Sequence, residues 1–444
     1  MTKGIILTRW WKSFWPRTFE ETVLWLSIFM LPWQLRHTFY FAAYGGNYYE
    51  YASVHLYATD LLIIILLGAW LLRRPKVQLP PKWIWQPLVL WLMWITITSW
   101  SGLDWQNSLQ QAAHYWLMFG WLLYLVNNVK DLRRILWPLV LGVGLQAVWG
   151  IAQFAANHDL GLHLLGESPL GPNQGGVAVV GDEAHRQIRA QGLLPHPNML
   201  GGLLAFAVVP VLVLYRNVSQ RQKGWLLLLA GLMGMALVLS FSRASWVVAL
   251  MVLLIVGAAV MLRRRWGRTL WLPMAVLLLG GMVAMAWQWP NVAGRFSAAS
   301  PLEQKSVEDR AAGWNDWKQV LSGYEFAGVG TGNYTQALIQ LRPDQLVWTY
   351  KPVHNIYLLM TAENGVVGIA IWLWLALSVG WWWLKTAKPA RFEWWLGLAG
   401  LGILAGGLVD HWAVSFQQGR LLVFLALALI ILESRVLLGG RENN

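Results

Sequence analysis

A histidine, an asparagine, a tyrosine and a glutamate (His354, Asn355, Tyr357 and Glu363) occupy the first turns of an otherwise apolar segment, Lys351-Pro-Val-His-Asn-Ile-Tyr-Leu-Leu-Met-Thr-Ala-Glu-Asn-Gly-Val-Val-Gly368. Such residues are expensive in lipid unless they face a cavity or a partner, so the chain's chemistry is sought here. An imidazole, whose unperturbed pKa is near 6.5, suits proton transfer at neutral pH, which makes His354 the candidate base. A histidine at a helix start also serves often as a simple cap, and Lys351 and Pro352 fit that plainer role. Glu363 lies nine residues further on, roughly 180° round a helix. The two therefore do not share a face, and Glu363 is read as packing or hydrogen bonding inside the bundle. Gly365 and Gly368 fit close helix contact.

Arginines supply a second chemistry. Arg189 lies in Arg-Ala-Gln-Gly-Leu-Leu-Pro-His-Pro-Asn198, with His196 and Asn198 beside it; Arg243 lies in the hairpin Ser240-Phe-Ser-Arg-Ala-Ser245; Arg310 lies in Glu308-Asp-Arg310. Guanidinium groups make bidentate, permanently charged contacts suited to phosphate. Arg243 alone reads as a snorkelling or loop-stabilising residue, but three arginines at one membrane boundary beside His354 read as an anion site. No HExxH, DxD or clustered carboxylate-histidine set is found, so neither a metal nor another cofactor is expected. The glycine-rich turn Gly328-Val-Gly-Thr-Gly-Asn-Tyr334 is not a Walker loop, because no Gly-Lys-Ser/Thr follows.

The elements that must position these residues are helices in lipid. In 444 residues, 57% are apolar and 12% charged, far from the roughly 25% charge of soluble domains. The chain reads as an all-α, polytopic membrane helix bundle. Apolar windows near 22–35, 56–72, 83–101, 108–126, 135–155, 198–215, 224–241, 244–262, 269–288, 354–384, 394–412 and 420–433 predict about twelve spans. With the N-terminus inside, alternate short connections hold 23 of the 34 basic residues, including Lys3, Lys12, Arg73, Arg134, Arg216, Arg264, Lys388 and Arg441. Both termini are thus expected in the cytoplasm. The net charge of +13 is mostly this topology signal, so no nucleic-acid partner is expected. The first apolar run lacks a small-residue cleavage site and is expected to remain as an anchor. Tryptophans beside lysines, Trp10-Trp11 with Lys12 and Trp381 to Trp383 with Lys385, read as interfacial anchors rather than sugar-stacking platforms.

Three regions result: residues 1–288 with nine spans and outer loops 37–55 and 156–197, a large extracytoplasmic loop 289–353, and residues 354–444 with three spans and a cytoplasmic tail. Helical patterning near Ala311 to Leu321 predicts that the large loop folds as a helical cap.

Arg189-Ala-Gln-Gly with Pro195-His-Pro-Asn198, the Ser-Phe-Ser-Arg-Ala hairpin, Glu308-Asp-Arg310 with Trp314, the glycine-rich turn, and above all His354-Asn-Ile-Tyr-Leu through Glu363-Asn-Gly-Val-Val-Gly368 resemble the O-antigen ligase/polymerase superfamily of bacterial envelopes. The resemblance implies a GT-C-like glycosyltransferase of the inner membrane, with its active site on the periplasmic face. It implies a donor glycan on undecaprenyl pyrophosphate and an acceptor that is a lipid A core sugar in ligases or a growing lipid-linked chain in polymerases. On this resemblance His354 is catalytic, Arg189, Arg243 and Arg310 bind pyrophosphate, and Asn355, Tyr357, Glu363, His196 and Asn198 support them. A polymerase or a protein O-oligosaccharyltransferase is the alternative. A transporter or flippase for lipid-linked sugars would call for repeat symmetry and helices broken at the midplane, which the sequence does not display.

Overall fold

The computed structural model describes residues 16, 18–182, 184–262, 268–296, 301–386 and 391–439. The basic residues Lys3, Arg9, Lys12, Arg17, Arg263, Arg264, Arg265, Lys388 and Arg441, and the Trp10-Trp11 pair, lie outside the described residues.

The helices run in chain order as α1 Phe19–Phe29, α2 Ala58–Leu72, α3 Lys82–Ser99, α4 Trp105–Asn128, α5 Arg133–Ala156, α6 Pro197–Arg216, α7 Gln220–Leu239, α8 Arg243–Leu262, α9 Trp271–Trp287, α10 Trp289–Gly294, α11 Pro301–Leu321, α12 Tyr334–Leu341, α13 Ile356–Lys385, α14 Leu396–Gly406, α15 Trp412–Ser415 and α16 Gln417–Gly439. Each apolar window of the sequence holds one of them. Among the described residues six are long and apolar enough to cross a membrane: α5, α6, α7, α8, α13 and α16. The chain is therefore a helical integral membrane protein.

Burial separates the centre of the bundle from its lipid face. Within their apolar windows α6 is 89% buried and α16 94%, whereas α8 is 39% and α13 28% buried. A helix apolar all round and buried all round is central; one equally apolar but half exposed faces lipid. Val247, Met251 and Leu254 on α8 project outward accordingly. At one rim Lys385 Nζ stands 4.4 Å over the Trp381 ring, and Trp83 meets Trp381 edge-on. That is the pairing of cation and aromatic expected of an interfacial anchor.

Two features depart from an all-α bundle with unbroken spans. The aromatic 37–55 loop holds antiparallel pairs, β1 (Arg36–Tyr40) with β4 (Val54–Tyr57) and β2 (Ala43–Tyr44) with β3 (Asn47–Tyr48), and the middle loop holds β5 (Val179–Val180) with β6 (Gln187–Ile188). Segments outside lipid are free to satisfy their backbone by short hairpins, and β-favouring Tyr, Phe, Thr and Val do so. Helix α13 is broken at Gly365, with φ 68° and ψ −179°. A Cβ there would lie 2.0 Å from the Phe326 carbonyl oxygen. Val366 N–H donates to Glu325 O, so the chain beside the glycine-rich turn repairs the backbone that the break releases. Gly368 does make the close helix contact expected of it, against Trp94 of α3.

Residues 289–353 contribute α10, α11, α12 and the glycine-rich turn. A second apolar core gathers Val320, Val329, Tyr334, Leu338, Tyr350 and Val353 with Tyr49 of the aromatic loop and Leu359 of α13. Val329 N–H and Gly330 N–H donate to the carbonyls of Ala362 and Glu363, and Thr331 Oγ1 donates to Asn364 Oδ1 at 2.6 Å. The Glu-Asn-Gly run thus docks the glycine-rich turn onto the membrane helix.

Candidate active site

The Arg189 loop is held from below. Two amides of α5, Gln146 and Gln153, are fully buried and grip its turn: Leu193 N–H donates to Gln146 Oε1 at 2.7 Å, Gly192 N–H to Gln153 Oε1 at 2.8 Å, and Gln153 Nε2 returns a bond to Gly192 O. Gly192 has φ 65°, and a Cβ would meet Gln146 Oε1 at 2.4 Å, so glycine is required there. After this turn Pro197 takes the first position of α6, and His196 caps it by accepting the Asn198 N–H at Nδ1, 3.2 Å. That bond leaves the ring proton on Nε2. Burial, followed by the charge of Arg189, pushes the His196 pKa down to about 3, so the ring is neutral.

The hairpin between α7 and α8 carries Phe241, a buried non-glycine residue with φ 49°. Such a conformation costs on the order of 1–3 kcal/mol and persists only where surroundings over-determine it. Here two guanidinium groups do so. Arg189 Nε donates to Ser240 O at 2.8 Å, and Arg295 donates to Phe241 O at 3.1 Å. Arg243, next in the hairpin, donates to Arg295 O at 2.8 Å.

His354 is set by its neighbours. Asn355 caps α13, accepting from Tyr357 N–H (2.9 Å) and Leu358 N–H (3.1 Å) at Oδ1, and its Nδ2 donates to Leu408 O at 2.9 Å. Tyr357 Oη donates to Leu404 O at 3.0 Å, and Ile356 N–H to Gly407 O. These bonds clamp the start of α13 against the turn after α14. The apolar window expected over 394–412 ends as helix at Gly406, and the turn beyond it presents Asp410 and His411. The His354 and His411 rings meet edge-on, 5.3 Å between centroids.

Asp410 joins the three loops. Arg189 donates to Asn198 Oδ1 (2.6 Å), Asn198 Nδ2 to Asp410 Oδ2 (2.6 Å), and His411 N–H to Asp410 Oδ1 (2.7 Å). Burial raises the Asp410 pKa, but His411, His354 and His196 around it, with the Asn198 amide, outweigh that and hold the carboxyl below its usual range. His411 is buried, which pushes its pKa down to about 3 despite Asp410 beside it.

One cavity of about 770 Å³ collects the result. Arg189, Arg243, Arg310, His196, Asn198 and His354 all line it. Arg186, Arg295 and Lys351 add three cations, while Asp410 is the only acid among its described lining residues. Six positive groups against one carboxylate make a site for a multiply charged anion. Ala244, Val247, Val248 and Met251 of α8 form an apolar wall on the side where α8 is exposed. Glu363 lies apart, lining a smaller polar pocket with Glu50, His114 and Arg420.

The sequence reading passed over Asp410, His411, Arg186 and Arg295. The adjacent acid and histidine inside an apolar window were the available signal for the first two. Arg186 and Arg295 sat in long loops, where charge says little about topology. A carboxylate-histidine group does form in the middle loop, contrary to expectation: one ligand atom from each of Asp159, His163 and Glu167 lies within 4.8 Å of the others. The spacing of four residues wraps them round a tight turn. Their carboxylates already accept loop amides, Asp159 from Leu170 N–H and Glu167 from Leu160 and Leu162 N–H.

A family model described as O-antigen ligase matches residues 228–373. That range takes in the hairpin, the 289–353 region and the start of α13, and so includes Arg243, Arg310 and His354. No curated protein matches the chain.

Proposed function

We propose that the chain, which the O-antigen ligase family model matches over residues 228–373, belongs to that family as a membrane enzyme of the ligase or polymerase type, and that it transfers a glycan from undecaprenyl pyrophosphate to a lipid A core sugar. The observation that carries this reading is the cavity lined by six cations, one carboxylate and two histidines. A pyrophosphate satisfies the cations, and each charge-assisted bond to it contributes roughly 1.5–3 kcal/mol. The apolar wall on exposed α8 gives the polyprenyl tail a path to lipid.

In this reading His354 accepts the proton of the acceptor hydroxyl as its oxygen attacks the anomeric carbon. The new C–O bond forms on the face opposite the pyrophosphate, so the configuration inverts. The bond from carbon to phosphate oxygen breaks, and its electron pair leaves on undecaprenyl pyrophosphate. Arg189, Arg243 and Arg310 bind that leaving group more strongly as its charge grows, which lowers the barrier. With a pyrophosphate leaving group and guanidinium partners, the reaction is proposed to run without a metal. Asn355 and Tyr357 hold the start of α13, His196 and Asn198 hold Arg189, and Glu363 with Asn364 docks the glycine-rich turn.

The architecture that goes with this reading is a GT-C-like bundle of twelve spans in the bacterial inner membrane. Residues 1–288 and 354–444 form the bundle, and residues 289–353 form a periplasmic cap over the cavity. Arg310 on α11 of that cap reaches the cavity lining, which supports a cap lying over it. Incubating purified protein with an undecaprenyl-pyrophosphate glycan, with and without a lipid A core acceptor, tests the reaction. Transfer only when the core acceptor is present is expected; glycan chains that lengthen on the lipid in its absence would establish a polymerase instead.

A further inference from the structure

Helix α6 begins at the cavity just described and ends at Arg216, twenty residues or about 30 Å away. At that far end a second pocket, about 500 Å³, opens among α5, α6 and α16. This is within the roughly 300–1,000 Å³ of small-molecule sites. Lys130, Arg216 and Arg391 line it together with the acids Asp131, Glu393 and Glu433, above an apolar wall that includes Leu136 and Val213.

The acids are not equivalent. Asp131 is taken by Arg133 at 2.8 Å, and Glu393 accepts Asn217 Nδ2 at 3.1 Å. Glu433 is 4% exposed, and among the described residues neither of its carboxylate oxygens has a hydrogen-bond partner. Arg216 lies over the Phe392 ring at 5.7 Å, and Arg391 acts on Glu433 through space without a hydrogen bond to it. A buried carboxylate with no partner is costly. Protonating it would not cure the fault, since the acid O–H would itself lack an acceptor. What the pocket leaves unmet is a hydrogen-bond donor for Glu433, which Arg391 reaches only through space, and an anion for the three basic groups.

We propose that this pocket holds the headgroup of a membrane phospholipid bearing both a phosphate and a primary ammonium, with the phosphate on Arg216 and Arg391 and the ammonium on Glu433. A phosphate alone would add a second anion beside Glu433. The ammonium supplies a positive charge in contact with Glu433 and up to three N–H donors. The apolar wall at the ends of membrane-spanning helices fits acyl chains, and basic pockets between such helices are a recurring place for lipid headgroups.

The test uses the full chain, purified in detergent and stripped of lipid, with binding read by native mass spectrometry. The probes are short-chain phosphatidylethanolamine, phosphatidylcholine, phosphatidylglycerol and free phosphoethanolamine. Phosphatidylethanolamine is expected to bind about tenfold or more tightly than the other two lipids, since one has no N–H to give and the other no cation. Glu433→Gln should lose that preference yet melt at the same or a higher temperature without lipid, because it removes a buried bare carboxylate. Arg391→Gln should weaken phosphatidylethanolamine and phosphatidylglycerol alike. Retention of the preference by Glu433→Gln, equal binding of the three lipids, or binding of free phosphoethanolamine as tight as that of its lipid would each overturn the proposal.

Discussion

Replacing Asp410 by asparagine keeps size and shape but reverses one hydrogen bond, and the structure shows where the error must land. The carboxylate accepts twice, from Asn198 Nδ2 at 2.6 Å and from His411 N–H at 2.7 Å, and Asn198 in turn accepts from Arg189. An asparagine at 410 has one acceptor. If it serves His411, its NH2 group faces the Asn198 NH2; if Asn198 turns over to accept it, the Asn198 NH2 faces Arg189. Either way two donors oppose each other in a buried site, which costs about 1–3 kcal/mol. Arg189, pushed from its seat, forfeits roughly one charge-assisted bond to the donor pyrophosphate, equivalent to about 10- to 150-fold in donor Kd. Binding of an undecaprenyl-pyrophosphate glycan to purified Asp410→Asn, with its melting temperature, reads both effects. The double exchange Asn198→Asp with Asp410→Asn restores an acceptor for Arg189 and a donor between the two positions, so it should recover much of the affinity. Asp410 also shares its cavity with His354, so the acid limb of kcat/KM in the single variant should move to lower pH. Wild-type donor affinity in Asp410→Asn, or no recovery in the exchange, would refute the relay.

His354→Ala should lower transfer by about 10²–10⁴ while sparing donor binding; near-normal turnover by His354→Gln or His354→Asn would reduce His354 to a hydrogen-bonding residue. Arg189→Lys, Arg243→Lys and Arg310→Lys keep the charge but lose the fork, so each should weaken donor binding without unfolding the protein, and full activity in all three would move the pyrophosphate elsewhere. His196 and His411, held near pKa 3 when folded against 6.5 otherwise, bind protons in the unfolded chain first, so stability should fall as pH drops below about 6.5 and go on falling towards 3. At pH 5 the loss is up to about 2 kcal/mol for each histidine; His196→Asn, which keeps a good cap, should flatten the curve, and a melting temperature unchanged between pH 7.5 and 5 would contradict their neutrality. Glu325→Cys places a thiol at an exposed position in a chain without native cysteine, and labelling by an impermeant maleimide only after the membrane is opened would invert the proposed orientation.

Much of this protein follows from local chemistry alone. Apolar runs of about twenty residues have to be helices in lipid, because a backbone without water must satisfy itself within the segment, and each predicted window holds a helix. Capping is local too, but the sequence pointed to His354 for it; the cap is Asn355, whose short side chain reaches the amides just after it. The arginines stood out because permanent charge beside lipid demands a reason.

Tertiary structure decided what those groups meet. Asp410 is 212 residues from Asn198 and Arg189 is 51 from Ser240, and no periodicity carries such distances. Their pairing depends on three loops converging at one end of α6, which the packing of α5, α7 and α14 around that helix sets. The break at Gly365 has the same origin: a glycine in an apolar helix suits close packing anywhere, and only the Phe326 carbonyl lying against it turns permissiveness into a kink. Charge type and helical period are properties of a segment. Which carboxylate neutralises which guanidinium is a property of the fold, because a buried ion must be paired by whatever the packing brings within about 3 Å.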